Sequence, residues 1–150
     1  MMTCTQNIFY RKGYKGQLDE DYSVKIAVYP HVDIDTELYT LLETGLLTIR
    51  KGYAWDFDTL AIDSRKSKRA SLIHDCLYQM MWRGELSKGQ RSAADYEYYK
   101  ALVEDGFWEP WANLRFKAVR RFGGRTDGAR NRRRSAPDKD AVNADASGAA

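Results

Sequence analysis

The chain has 150 residues, 43% of them hydrophobic, enough for one domain with its own core and too few for two. Its longest apolar runs, such as Leu46-Leu47-Thr48-Ile49, are a handful of residues, so no transmembrane segment of roughly 20 residues is expected. The net charge of +3 is unevenly spread: residues 115–134 hold nine basic side chains against one acid, while residues 1–114 hold fourteen basic and seventeen acidic. A slightly acidic body therefore carries one strongly basic stretch near its end.

Aromatic residues make up 13% of the chain, ten of them Tyr, which argues for a folded domain rather than a disordered one. Cys4 and Cys76 are too few for a disulfide framework and suit a reducing compartment. The start, Met-Met-Thr-Cys-Thr-Gln-Asn, has no basic region followed by an apolar one, so secretion by a signal peptide is not expected.

In chain order, residues 7–57 favour strands. Ile8-Phe9-Tyr10, the run from Tyr22 to Tyr29, and Leu46-Leu47-Thr48-Ile49-Arg50 are rich in β-branched and aromatic residues and are separated by Gly13, Gly16, Pro30 and Gly45. Val24, Ile26 and Val28 alternate with Lys25, Ala27 and Tyr29, the period of a strand with one buried face. Residues 35–42 are read as a short helix or a turn.

From Ser67 the period becomes helical. Ala70, Ile73, Leu77 and Met81 fall at three- and four-residue steps, with Gly84 where a helix would end. Ser87 can cap a second helix with the apolar stripe Ala94, Tyr98, Ala101 and Leu102, ended by Gly106. Pro110 opens a third, whose buried side is predicted to be Trp111, Leu114, Ala118, Val119 and Phe122, with Arg115, Lys117, Arg120 and Arg121 as its solvated face. The fold class is therefore α+β, a strand-rich N-terminal half followed by three helices. Residues 1–123 form the domain, and 124–150 are expected to be a disordered basic and then polar tail.

The chemistry concentrates in His74-Asp75-Cys76-Leu77-Tyr78. On a helix, His74, Asp75 and Tyr78 project within a sector of roughly 100° beside the apolar stripe. An imidazole partly buried next to a carboxylate suits a general base. The short connection at residues 84–86 makes the first two helices antiparallel, which brings Asp95 toward His74 as an orienting partner, with Arg91 one turn earlier. Each residue also has a plainer use: His74 in a structural bond to Asp95, Asp75 in an ion pair with an Arg, Tyr78 in packing. Asp56 and Asp58 would then be turn residues and Cys76 a small buried thiol.

Four segments carry a resemblance: Lys51-Gly52-Tyr53-Ala54-Trp55-Asp56-Phe57-Asp58-Thr59, Arg69-Ala70-Ser71-Leu72-Ile73-His74-Asp75-Cys76-Leu77-Tyr78-Gln79, Arg91-Ser92-Ala93-Ala94-Asp95 and Val119-Arg120-Arg121-Phe122-Gly123. In this order, over roughly residues 45–123, they resemble the phage and prophage family called domain of unknown function 1353. The chain departs from that family after Asp56, where Phe57-Asp58-Thr59 stands in place of Gly-Ala-Ser. The resemblance implies a phage-encoded protein, acting in the host cytoplasm or carried in the virion.

The loop, the His-Asp-x-x-Tyr helix and the following helix with an Asp are also similar, at the level of the site, to phospholipase A2 enzymes. That similarity implies His74 as the base, Tyr78 and Asp95 as the pair that holds it, and Asp75 as a calcium ligand. Asp56 and Asp58, in the loop 52–58, would be further oxygen donors for calcium. The disulfide-bonded cysteines and glycine-rich calcium loop of the secreted enzymes are absent, and Leu77 stands where they have a cysteine. Two functions follow as expectations: a hydrolase of esters such as phospholipids, or a non-catalytic virion, assembly or host-interaction protein in which His74, Asp75 and Tyr78 form a structural polar network. A metal-dependent phosphohydrolase would need a second histidine near His74, and His31 lies in the strand-rich region. The tail, with Arg125, Arg130, Arg132, Arg133 and Arg134, reads as a flexible arm for a phospholipid or other anionic surface, non-specific nucleic acid or an acidic protein.

Overall fold

The computed structural model describes residues 10–11, 16–55 and 66–122 of the chain. Seven short strands occupy the first half: β1 (Tyr10–Arg11), β2 (Gly16–Leu18), β3 (Tyr22–Lys25), β4 (Ile34–Asp35), β5 (Tyr39–Leu41), β6 (Leu46–Ile49) and β7 (Ala54–Trp55). Three helices follow, α1 (Lys68–Trp82), α2 (Arg91–Glu104) and α3 (Glu109–Phe122). The α+β class, with strands first and three helices after, is thus observed. The expected tail at 124–150 lies outside the described residues, as do Asp56, Asp58, Cys4 and the strand residues Ile8 and Phe9.

All strand pairs are antiparallel, in a three-stranded sheet ordered β1-β2-β7 and a four-stranded sheet ordered β3-β6-β5-β4. Tyr22 pairs with Ile49 and Val24 with Leu47, which turns Tyr22, Val24, Leu47 and Ile49 to the buried side. The β2–β7 pairing continues past the strand ends, where Leu18 N–H donates to the Tyr53 carbonyl at 3.0 Å and Gly52 N–H to the Leu18 carbonyl at 2.8 Å.

Two sequence expectations are corrected here. Residues 35–42 form no helix: they are the end of β4, a turn and β5. Thr36 Oγ1 accepts the N–H groups of Leu38 and Tyr39 and donates to the Tyr39 carbonyl, closing a tight turn that a helix would have to break. The strand expected from Tyr22 to Tyr29 stops at Lys25, although buried and exposed residues keep alternating to Pro30. Past Lys25 the backbone finds other partners, Ile26 N–H on the Gly45 carbonyl at 2.9 Å and Ala27 N–H on Glu97 Oε1 of α2 at 2.9 Å.

The helices cover one continuous core. Leu72, Ile73, Leu77 and Met80 of α1 meet Tyr39, Leu47, Ile49 and Trp55 of the sheets, while Ala94, Tyr98, Ala101 and Leu102 form the buried stripe of α2. Polar contacts fix how α1 lies on the strands: Tyr53 Oη donates to Gln79 Oε1 at 2.8 Å, and Trp55 Nε1 donates to Ser71 Oγ at 3.2 Å. Ser87 caps a short 3-10 turn, Lys88–Gln90, that leads directly into α2. Pairing of His74 with Asp95 and of Arg69 with Glu104 shows that α1 and α2 run antiparallel.

The third helix is rotated from the expected face. Ala112 and Arg115 are buried against α2 while Trp111 and Leu114 are exposed. The Ala112 methyl permits close approach, and Arg115 lays its stem under Phe107, its guanidinium 5.0 Å from the ring centre, to reach Tyr98 Oη at 3.2 Å.

Glycine geometry gives a direct test of the fold. Gly45 has φ +88°, and a Cβ there would sit 2.3 Å from the Ile26 carbonyl oxygen, whereas Gly84 has φ +77° with open space around it. Gly45→Ala should cost about 3 kcal/mol from backbone strain plus collision, and Gly84→Ala about 1 kcal/mol from strain alone, read as shifts in urea midpoint. Equal costs at the two positions would contradict this packing.

Candidate functional site

Helix α1 is buried along almost its whole length, which gives its few open positions significance. From Lys68 to Met81 every residue is buried except His74, Asp75 and Tyr78. The helix is therefore covered on most sides, by α2 and by the segment around β7, and its three half-buried positions are all polar.

Beside them stands Asp95 of α2, whose side chain has no exposed surface. Its Oδ1 accepts hydrogen bonds from His74 Nε2 at 2.8 Å and from Tyr78 Oη at 2.5 Å. Its Oδ2 accepts one from Arg120 at 2.8 Å, and Arg91 Nε lies 3.9 Å away. Burial by itself would raise the carboxyl pKa, but the bonds from His74, Tyr78 and Arg120 outweigh it and hold the group below its ordinary value. The aspartate is consequently ionised and can only accept, which makes His74 Nε2 the donor and leaves Nδ1 as the ring nitrogen that Asp95 does not engage.

The imidazole is confined by aromatic neighbours, with ring centres 4.2 Å from Tyr78 and 5.0 Å from Tyr98. Burial and its bond to Asp95 push the Tyr78 phenol well above its usual range, so it remains a neutral donor. Arg91 donates to Tyr78 Oη at 3.1 Å and to the carbonyls of Val119 and Arg120, closing the last turn of α3 over the start of α2.

The structure thus brings His74, Tyr78 and Asp95 together. Asp75 is half-buried on the helix face between Ser71 and Gln79, the two residues bonded to Trp55 and Tyr53. The proposed oxygen donors Asp56 and Asp58, which follow Trp55 directly in the chain, lie outside the described residues. Among the described residues no three His, Cys, Asp or Glu side chains converge as a metal site. Cys76 is a free, fully buried thiol whose pKa is raised by burial and by the Asp75 charge, consistent with a packing role.

Sequence reasoning missed two cations. Arg115 and Arg120, both assigned to a solvated face, instead serve Tyr98 and Asp95. A legible signal existed in the density of basic residues on α3, since an ionised aspartate expected to be buried on α2 requires a positive partner from another element.

No protein-family model, curated protein or solved structure matches the chain.

The depressed Asp95 pKa sets a pH dependence. A carboxyl lower in the folded than in the unfolded chain contributes stability that is fully present above the unfolded value of about 3.9 and is lost as pH falls through the folded value. Asp95→Asn should remove about 2–4 kcal/mol at neutral pH by stranding buried donors, and should flatten the acid limb of stability against pH below about 4. Urea midpoints measured across pH for both proteins check this, and parallel acid limbs would contradict it.

Proposed function

We propose that the chain is a phage-encoded hydrolase in which His74 acts as general base on a water that attacks an ester, with a phospholipid as the substrate class. The observation that carries this reading is the single break in the burial of α1 at His74, Asp75 and Tyr78, backed by an ionised and fully buried Asp95. The resemblance of the four segments to domain of unknown function 1353, and of the site to phospholipase A2 enzymes, belongs to the same proposal.

In this mechanism His74 Nδ1 takes a proton from water as the water oxygen bonds to the ester carbonyl carbon. The imidazolium so formed sits against Asp95, whose charge favours it. The proton then passes to the departing alkoxide as the ester C–O bond breaks. Arg120 keeps Asp95 ionised, and Tyr78 and Tyr98 hold the ring angle. Asp75, with Asp56 and Asp58, would supply carboxylate oxygens, a donor set that suits calcium. Calcium, when bound, would polarise the ester carbonyl as a Lewis acid.

One observation favours the second reading, a non-catalytic virion, assembly or host-interaction protein. Asp95 draws hydrogen-bond donors from α1 and α3 at once, with Arg91 of α2 in ion-pair range, which is also how a purely structural knot would be built.

Liposome hydrolysis with calcium or with a chelator separates the two. The parent should release fatty acid in calcium, and His74→Ala should lower the rate by about 10²–10⁴-fold while keeping the circular dichroism of the fold. Asp75→Asn should raise the calcium concentration required. Absence of hydrolysis, or a rate unchanged in His74→Ala, would establish the structural reading instead.

A further inference from the structure

Helix α3 turns an apolar face to water. Trp108, at its entry, is 65% exposed, Trp111 47% and Leu114 56%, and the two indoles lie 6.5 Å apart, tilted by 53°. On a helical wheel Trp111, Leu114 and the half-buried Ala118 share a sector of about 60°, opposite neither Ala112 nor Arg115 but beside them, so they project along the flank of the domain. Lys117 and Arg121, both exposed, border that sector on the side away from α2.

The charges identify the occupant. Within α3 the only acid is Glu109, which accepts a hydrogen bond from Tyr99, whereas the basic residues are Arg115, Lys117, Arg120 and Arg121. Arg115 and Arg120 are turned inward to Tyr98 and Asp95, leaving Lys117 and Arg121 at the surface, and the sequence beyond continues with Arg125, Arg130, Arg132, Arg133 and Arg134. A short row of indole and leucine edged by cations matches the boundary between acyl chains and anionic headgroups. Indole rings favour that depth, and Lys and Arg reach from it to phosphate. A single-stranded nucleic acid fits less well, since tilted indoles and a leucine offer no continuous flat platform for bases.

We propose that the face formed by Trp108, Trp111 and Leu114, with Lys117 and Arg121 at its border, docks the folded domain on an anionic phospholipid bilayer. The contact is peripheral, because no helix among the described residues is long and apolar enough to cross a membrane. It does not rest on the hydrolase reading, since binding requires no turnover.

The test uses the full chain with vesicles of phosphatidylcholine alone or mixed with phosphatidylglycerol, some brominated in their acyl chains. Tryptophan emission of the parent should shift to the blue and be quenched by the brominated mixed vesicles, and the same should hold for His74→Ala. The exposed double variant Trp108→Ser/Trp111→Ser, checked for fold by circular dichroism, should lose that quenching and partition about tenfold more weakly or worse. Lys117→Glu should weaken binding to mixed vesicles and leave binding to neutral ones unchanged. Parent binding without quenching, or equal partition of the double variant, would overturn the proposal by placing the whole interaction in the basic stretch beyond α3. Self-association of the parent in vesicle-free buffer, or preferential capture of a single-stranded oligonucleotide, would overturn it too if abolished in the double variant, assigning the face to a second copy or to nucleic acid.

Discussion

Taking one carboxylate out of water constrains the helical half of this protein. Removing a charged group from solvent costs several kcal/mol unless its lone pairs are met, and Asp95 accepts hydrogen bonds from His74 and Tyr78 on α1 and from Arg120 on α3, with Arg91 of its own helix 3.9 Å away. Each donor fixes one relationship. The two from α1 set its axial position against α2, and Arg120 sets the rotation of α3. Because the donors arrive from both sides, a shift of α1 or α3 by one turn would strip the charge of part of its compensation. The same constraint that orders the helices also determines which nitrogen of His74 carries a proton.

Similar polar ties join the helices to the strands. Arg69 is buried near the start of α1, where it binds Asp105 and Glu104 at the end of α2 and reaches Tyr22 of β3. These partners hold its guanidinium protonated despite burial, which by itself would favour the neutral form. Glu97 bonds the Ala27 N–H and Lys100, so the segment after β3 is attached to the middle of α2. With Tyr53 on Gln79 and Trp55 on Ser71, strand β7 is laid along α1 on either side of Asp75. His74, Asp75 and Tyr78 are the positions of α1 left half-buried once these attachments have been made.

The rotation of α3 links the interior to the surface. Arg115 and Arg120 must face inward to reach Tyr98 and Asp95, and on a helix of fixed pitch that choice sends Trp111 and Leu114 outward. An apolar flank is thereby the geometric counterpart of a satisfied polar core. Reading hydrophobicity alone turns Trp111 and Leu114 inward and Arg115 and Arg120 outward, because it takes large apolar side chains as buried and arginines as solvated.

Much was legible without coordinates where a local rule decides the outcome. The period of Ala70, Ile73, Leu77 and Met81, the stop at Gly84 and the stripe Ala94, Tyr98, Ala101 and Leu102 follow from helix geometry and from a glycine that accepts positive φ. The spacing of His74, Tyr78 and Asp95 across a short connection likewise foretold their meeting, since antiparallel helices leave few alternatives. Residues 35–42 were ambiguous because a Thr36 turn suits a helix start as well as a strand connection, and the pairing of β5 with β6 that decides it depends on a strand several residues further on. The sequence by itself determined the order of strands and helices and the candidate His-Asp-Tyr set, for these rest on periodicity and caps. Only the tertiary structure decided the inward turn of Arg115 and Arg120, the outward turn of Trp111 and Leu114, and the partial burial of His74 against Asp95, because each depends on where a buried charge finds its partners.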